Sequence, residues 1–212
     1  MINLKKHMFR RTLTASGLCL GTLSLWVASV TSARSLTDLP VVDSAALGTQ
    51  PTPPWSEPVQ INDPFEGDFI GVFDRHLFFD RIFNTSVRVE VQSLWSPEEI
   101  RFLLTTRDRD CLSSSFQHRL SSSLDCSKFN NARNLISLFI RVNDDVFRIE
   151  GQNSTFPVSD ELAQALRNAP EGNISIRLVA ESGETIDSEI GEGTVEAWKP
   201  VYSAPLANLI SE

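Results

Sequence analysis

Apolar and polar residues alternate in many short runs between residues 67 and 203, and this period of two constrains the fold more than any other feature. Val87, Val89 and Val91 are separated by polar side chains, as in a strand with one buried face. Further runs of strand length occur at residues 68–73, 76–83, 135–142, 146–151, 173–181 and 184–191. They predict a mainly β fold, a single antiparallel β-sandwich or barrel-like domain.

One to three short helices are predicted beside these strands. Ser159 is a typical N-cap for the helix that follows it, and Pro170 ends that helix. Residues 193–202 place apolar side chains at helical spacing, which predicts a short closing helix that buries Trp198. The turn-forming residues 143–145 join two of the runs into a hairpin.

The stretch Pro97–Asp108 carries signals for both a helix and a strand. The sequence SPEE at residues 96–99 is a capping box with proline at the first helical position. The residues that follow place Ile100, Phe102 and Leu104 on one side of an extended chain. Local sequence leaves these two structures open.

The N-terminus has the layout of a secretory signal peptide. Four basic residues lie among the first eleven, residues 13–30 carry no charge, and Thr31-Ser32-Ala33 ends in small side chains. We predict a signal peptide at residues 1–33 and an extracytoplasmic protein, periplasmic or secreted. The uncharged run is also long enough to span a bilayer, so an uncleaved anchor is the alternative, and membrane contact is expected only then.

Composition divides the remaining chain into three parts. Residues 34–66 hold six of the 11 prolines and show no apolar periodicity, which predicts a flexible Pro-rich linker. Residues 67–203 are predicted to form the mainly β globular domain, and residues 204–212 a loose C-terminal tail.

The charge balance argues against nucleic acid as a partner. The chain has 19 basic and 27 acidic residues, and four of the basic residues lie in the predicted signal peptide. The mature protein would therefore repel phosphate backbones.

Two cysteines, Cys111 and Cys126, remain after the signal peptide is removed. An even number of cysteines in an exported chain predicts a disulfide, here closing a loop of about 16 residues and contributing roughly 3 kcal/mol. A metal site with His118 would offer only three ligands at wide spacing, and a Cys–His catalytic pair would need a free thiolate.

Asp74, His76 and Asp80 form the most site-like cluster in the sequence. Their even spacing places them on one face of a strand, and an Asp-x-His pair is able to orient a base or bind a metal. The interpretation we favour is structural, with Asp74 and Asp80 paired to Arg75 or Arg81 on a solvated face.

The acidic stretch from residue 181 to residue 196 contains Asp187, Glu189 and Glu192, which are candidate calcium ligands. Its spacing matches no EF-hand, and alternating acidic residues also fit the solvated face of a strand. Three tryptophans are candidates for a sugar-binding platform, although core packing is the commoner use of such side chains: Trp55, Trp95 and Trp198.

No catalytic signature or cofactor motif occurs in the sequence, so we expect no cofactor and lean away from an enzyme. The favoured interpretation is an exported binding or interaction module with a protein or carbohydrate partner in the envelope. The alternatives are a small secreted hydrolase that uses Asp74, His76 and Asp80, and a calcium-dependent carbohydrate-binding or adhesion module. The oligomeric state is left open.

Overall fold

The computed structural model describes residues 39–49, 52–82, 85–108 and 131–203. Three predictions lie outside these residues and stay predictions: the signal peptide at 1–33, the Cys111–Cys126 disulfide with the nearby His118, and the tail at 204–212. The described part is mainly β, with antiparallel sheets and two helices, which confirms the predicted fold class.

Seven of the described strands form the larger sheet, in the order β1-β2-β3-β4-β5-β6 with β9 also paired to β5. All neighbours are antiparallel except β1 and β2. The bounds are β1 Val41–Val42, β2 Pro58–Asp63, β3 Gly67–Ile82, β4 Thr85–Trp95, β5 Glu99–Asp108, β6 Asn131–Arg133 and β9 Thr155–Pro157. The two apolar runs predicted at residues 68–73 and 76–83 are one continuous strand, β3.

The smaller sheet has four antiparallel strands among the described residues, in the order β11-β10-β7-β8. Their bounds are β7 Leu135–Val142, β8 Asp145–Glu150, β10 Ile174–Ala180 and β11 Thr185–Ile190. The predicted hairpin is β7–β8, and Asn143 in its turn has a φ of 55°, a conformation that asparagine tolerates.

One continuous apolar core joins the inner faces of the two sheets. The alternating apolar residues of the strands form this core, because every second side chain of a strand points inward. Val72 of β3, Ile140 of β7 and Leu178 of β10 belong to the same buried cluster. Trp95 and Trp198 complete it, both with 0% exposure.

The two helices close the ends of this core. Helix α1 is Asp160–Arg167, and the Ser159 hydroxyl accepts a hydrogen bond from its first turn, which confirms the predicted cap. Helix α2 is Glu192–Val201 and buries Trp198, as predicted. In the described ranges, no helix combines the length and apolar character needed to cross a membrane.

The stretch Pro97–Asp108, for which the sequence allowed either a helix or a strand, contains strand β5. The Ser96 hydroxyl accepts a hydrogen bond from the Glu99 backbone N–H at 3.3 Å, as a helix cap would. The Ser96 N–H, however, donates to the Glu99 carbonyl at 3.0 Å, so the chain reverses and pairs with β4. Ile100, Phe102 and Leu104 are alternate residues and all three are buried, so the strand signal of this stretch prevails over its helix-cap signal.

The predicted flexible linker at residues 34–66 is wrong for the parts of it that the structure describes, residues 39–49 and 52–66. Strand β2 lies in this segment and pairs with β3 along its whole length. Val59 and Ile61 of β2 are fully buried, in a second apolar cluster with Val42 and Phe73 on the other face of the larger sheet. The prolines do not prevent this, because β2 has a proline only at its first position.

Candidate functional site

Strand β3 carries the Asp-x-His pair, and its even-numbered side chains face the smaller sheet and α2. Asp74 is only 3% exposed, so it does not lie on a solvated face. Its Oδ1 accepts a hydrogen bond from the Thr194 hydroxyl at 2.5 Å. Thr194, in the first turn of α2, is itself fully buried. Asp74 therefore anchors the closing helix.

Burial sets the electrostatics of Asp74. Desolvation raises the pKa of this carboxyl, and the hydrogen bond from Thr194 opposes that rise. The backbone at Gly191, which is the N-cap of α2, also favours the charged form. A carboxylate at this position meets the positive end of the helix dipole. Asp74 thus acts as a cap supplied by another element of the fold.

His76 is half-buried and is held against strand β11. Its Nδ1 lies 2.9 Å from the Ser188 hydroxyl and accepts a hydrogen bond from the Glu189 backbone N–H at 3.3 Å. A backbone N–H only donates, so the proton of the neutral ring is on Nε2. Phe78 packs beside the ring, with the centroids 5.1 Å apart. These contacts place His76 along the edge of β11.

The pairing expected from sequence is wrong for Asp74. Arg75 forms its ion pair with Glu90 at 2.9 Å, and its guanidinium lies over Trp55, 5.7 Å from the ring centroid. Because neighbouring residues of a strand point to opposite faces, Arg75 lies on the face away from Asp74. Asp80 is exposed on the same face as Asp74 and His76, as predicted, but further toward the end of β3.

A cleft of about 650 Å³ lies next to His76. His76 and Phe78 of β3 line it, together with residues from every strand of the smaller sheet. Its apolar walls include Phe139 of β7 and Val146 of β8. This volume is in the usual range for small-molecule sites, which is about 300–1,000 Å³. We call this site the His76 cleft.

The charged side chains of the His76 cleft differ in the ion pairs and hydrogen bonds that they form. Arg177 forms a two-pronged ion pair with Asp187, at 2.5 and 2.8 Å. The Glu189 carboxylate accepts a hydrogen bond from the Asn173 side chain at 3.2 Å. Arg141, in contrast, contacts only the Ser175 hydroxyl at 3.4 Å, and no ion pair to it occurs among the described residues. Among the described residues, Arg141 is therefore the arginine of the cleft that has no ion pair.

A larger cleft of about 870 Å³ lies near the β2–β3 turn, and five of its eleven lining residues are acidic. Three of these five carboxylates are bonded to other groups of the fold. The Asp63 carboxylate accepts hydrogen bonds from the backbone of Ala45 and Phe65, both at 2.9 Å, and these lower its pKa. Arg101 bridges Glu66 and Glu99.

The candidate calcium ligands are spread over two elements, and the carboxylates of two of them are bonded to other groups. Asp187 is bound by Arg177 and Glu189 by Asn173, while Glu192 begins helix α2. Across the described ranges, no group of three or more His, Cys, Asp or Glu side chains is placed to hold a metal ion.

The tryptophans do not form a sugar-binding platform. Trp95 and Trp198 lie inside the core with their ring centroids 4.6 Å apart and no exposure. Trp55 is half-buried and packs edge-on against Phe73 at 6.5 Å. The commoner use of these side chains, core packing, is therefore the one that the structure shows.

Sequence reasoning missed three residues of this region: Thr194, Ser188 and Arg141. Thr194 and Ser188 follow the Asp-x-His pair by more than 110 positions, and only tertiary packing brings them next to it. No local sequence pattern indicated Arg141. What distinguishes this residue is that no carboxylate of the described residues forms an ion pair with it.

Comparison of the chain with protein-family models, with curated proteins and with solved structures finds no match.

Proposed function

We propose that this protein is an exported, non-enzymatic binding module of the periplasm or cell envelope, and that its ligand site is the His76 cleft. The observation that carries this proposal is how the Asp-x-His pair is used. Asp74 is bonded to helix α2 and His76 to strand β11, so neither is joined to the other in a relay. What remains beside them is a cleft of ligand size with an unpaired arginine.

Export is supported by the N-terminal pattern. The basic region, the uncharged run and the small residues before Arg34 are those of a signal peptide. A fold that carries a cleft of ligand size suits a binding role, in which a protein or carbohydrate of the envelope is the partner.

The test compares capture by two variants that differ only in where they carry a bulky side chain. Ser175→Trp would fill the His76 cleft, whereas Thr185→Trp adds the same group at an exposed position of β11 outside the cleft. The purified protein is immobilised and exposed to the native envelope fraction, and bound material is identified by mass spectrometry. A partner retained by Thr185→Trp and lost by Ser175→Trp supports the proposal. Equal capture by both variants contradicts it.

A hydrolase is the second candidate, because Ser188 lies at hydrogen-bond distance from His76. Two features weigh against it. Ser188 is only 5% exposed. The Glu189 N–H, which follows Ser188 in the chain, donates to the His76 ring and so is not directed at a developing oxyanion.

Labelling with a fluorophosphonate probe separates these candidates. The binding proposal predicts no labelling of the native protein and no hydrolysis of nitrophenyl acetate above the rate of the heat-denatured control. Labelling that disappears in Ser188→Ala would move the hydrolase to first place.

A further inference from the structure

We infer that the His76 cleft selects small organic anions that have an aromatic or apolar body, with Arg141 as the anchor for the anionic group. This inference rests on the proposed function for the location of the site, and it gives that site a small-molecule ligand in place of a protein or carbohydrate. It combines the charges of the cleft, the nature of its walls and the orientation of His76.

The charge argument starts from the protein as a whole. The chain has a formal net charge of −8, so its average surface repels anions. Inside the cleft, the acidic Asp187 is neutralised by Arg177, and Glu189 is held by an amide. Arg141 has only a long contact to a serine hydroxyl. The two arginines and two carboxylates that line the cleft balance in formal charge, and Arg141 is the cation for which the described residues provide no ion pair, so an anion would find a partner there.

His76 adds a second donor. Because its Nδ1 accepts from the Glu189 N–H, the neutral ring carries its proton on Nε2, and the ring lines the cleft. An imidazole N–H and a guanidinium are both donors, and among the described residues neither His76 nor Arg141 forms an ion pair with a carboxylate, although Glu189 also lines the cleft. A carboxylate ligand is acceptor-only and complements this pair, whereas a cationic ligand does not.

The walls define the rest of the ligand. Phe78 and Phe139 present aromatic rings, and Val146 is 62% exposed, which is unusual for a valine in a strand. The Arg148 guanidinium lies 5.5 Å from the centre of the Phe139 ring, so one wall is already arranged for stacking. An aromatic or apolar body on these side chains removes their surface from water, which favours binding.

The experiment titrates the purified protein with three probes of one shape: phenylacetate, phenylethanol and phenylethylamine. Binding is followed by backbone amide NMR shifts of cleft residues such as Ser175 and Val146. We expect phenylacetate to bind in the cleft, and the alcohol and the amine to bind roughly tenfold or more weakly, the difference that one charge-assisted hydrogen bond supplies. Arg141→Gln should remove this preference, and the control Arg167→Gln, on exposed helix α1 surface, should keep it.

The remaining outcomes separate this inference from the proposed function. If the alcohol or the amine shifts the cleft signals as strongly as the carboxylate, the anion preference is wrong while the cleft remains a binding site. If no probe shifts the cleft signals, the inference is overturned, and the capture experiment with Ser175→Trp and Thr185→Trp decides separately whether the cleft is the binding site. If phenylacetate binds equally well to Arg141→Gln, Arg141 is not the anchor and the inference is overturned.

Discussion

Replacing Thr194 with valine tests whether Asp74 anchors helix α2, because this change removes one hydroxyl and keeps the shape of the side chain. Thr194 is fully buried and donates to Asp74 Oδ1 at 2.5 Å. A hydrogen bond to a charged group contributes about 1.5–3 kcal/mol, so we expect the free energy of unfolding at neutral pH to fall by about 2 kcal/mol. For a chain of this length, the expected loss in Tm is about 4–8 °C.

The assay is urea denaturation followed by tryptophan fluorescence, since Trp95 and Trp198 lie in contact in the core. The control is the same substitution in an Asp74→Ala background. No carboxylate remains there to accept the hydrogen bond, and the hydroxyl keeps only its contact with Ser56 Oγ at 2.9 Å. Thr194→Val should therefore cost about 1 kcal/mol or less there, as for a neutral hydrogen bond, and the two changes should not be additive. An equal cost in both backgrounds would refute the anchoring role, because the hydroxyl would then matter for another reason.

Three further predictions concern the acid, the core and the cysteines. Burial raises the pKa of Asp74 above its ordinary value of 3.8, so its contribution to stability is present below that value and is lost as the pH rises through the folded-state pKa. Urea midpoints should therefore show wild type losing stability relative to Asp74→Asn as the pH rises across this window, and a constant difference would contradict the shift. Trp198→Ala removes a fully buried indole and should cost about 3–5 kcal/mol in the same assay, while a loss below about 1 kcal/mol would mean that the core is not closed by α2. Mass analysis of unreduced peptides should show Cys111 joined to Cys126, and Cys111→Ser with Cys126→Ser should lower stability by roughly 3 kcal/mol; two free thiols in protein from its own compartment would refute the disulfide.

The elements that sequence predicted are those whose signal is local. Strands β7 and β10 show the alternation that one buried face requires, and the cap of α1 and the apolar spacing of α2 are visible within a few residues. The segment SPEE shows the limit of such signals. The Ser96 hydroxyl makes the hydrogen bond typical of a helix cap. The chain nevertheless continues as a strand, because the alternating apolar side chains of β5 are buried in the core.

The errors come from contacts between distant segments. Strand β2 lies in the segment 34–66, whose prolines suggested a linker without a core. Only the pairing of β2 with β3 reveals its buried face. Asp74 looked solvated because no local pattern shows that α2, some 120 residues later, covers it. For the same reason the Ser188 hydroxyl beside His76 was not foreseen. The residues of the candidate site were found in part, but their partners depend on the tertiary fold.

The claim that Asp74 and His76 are bonded to separate parts of the fold, and not joined in a catalytic relay, is tested most directly by the ring nitrogens of His76. A long-range proton–nitrogen NMR spectrum distinguishes the two tautomers of the neutral imidazole. Our account predicts the proton on Nε2, with Nδ1 as the acceptor from the Glu189 N–H. A neutral ring with its proton on Nδ1, hydrogen-bonded to the Asp74 carboxylate, would contradict it.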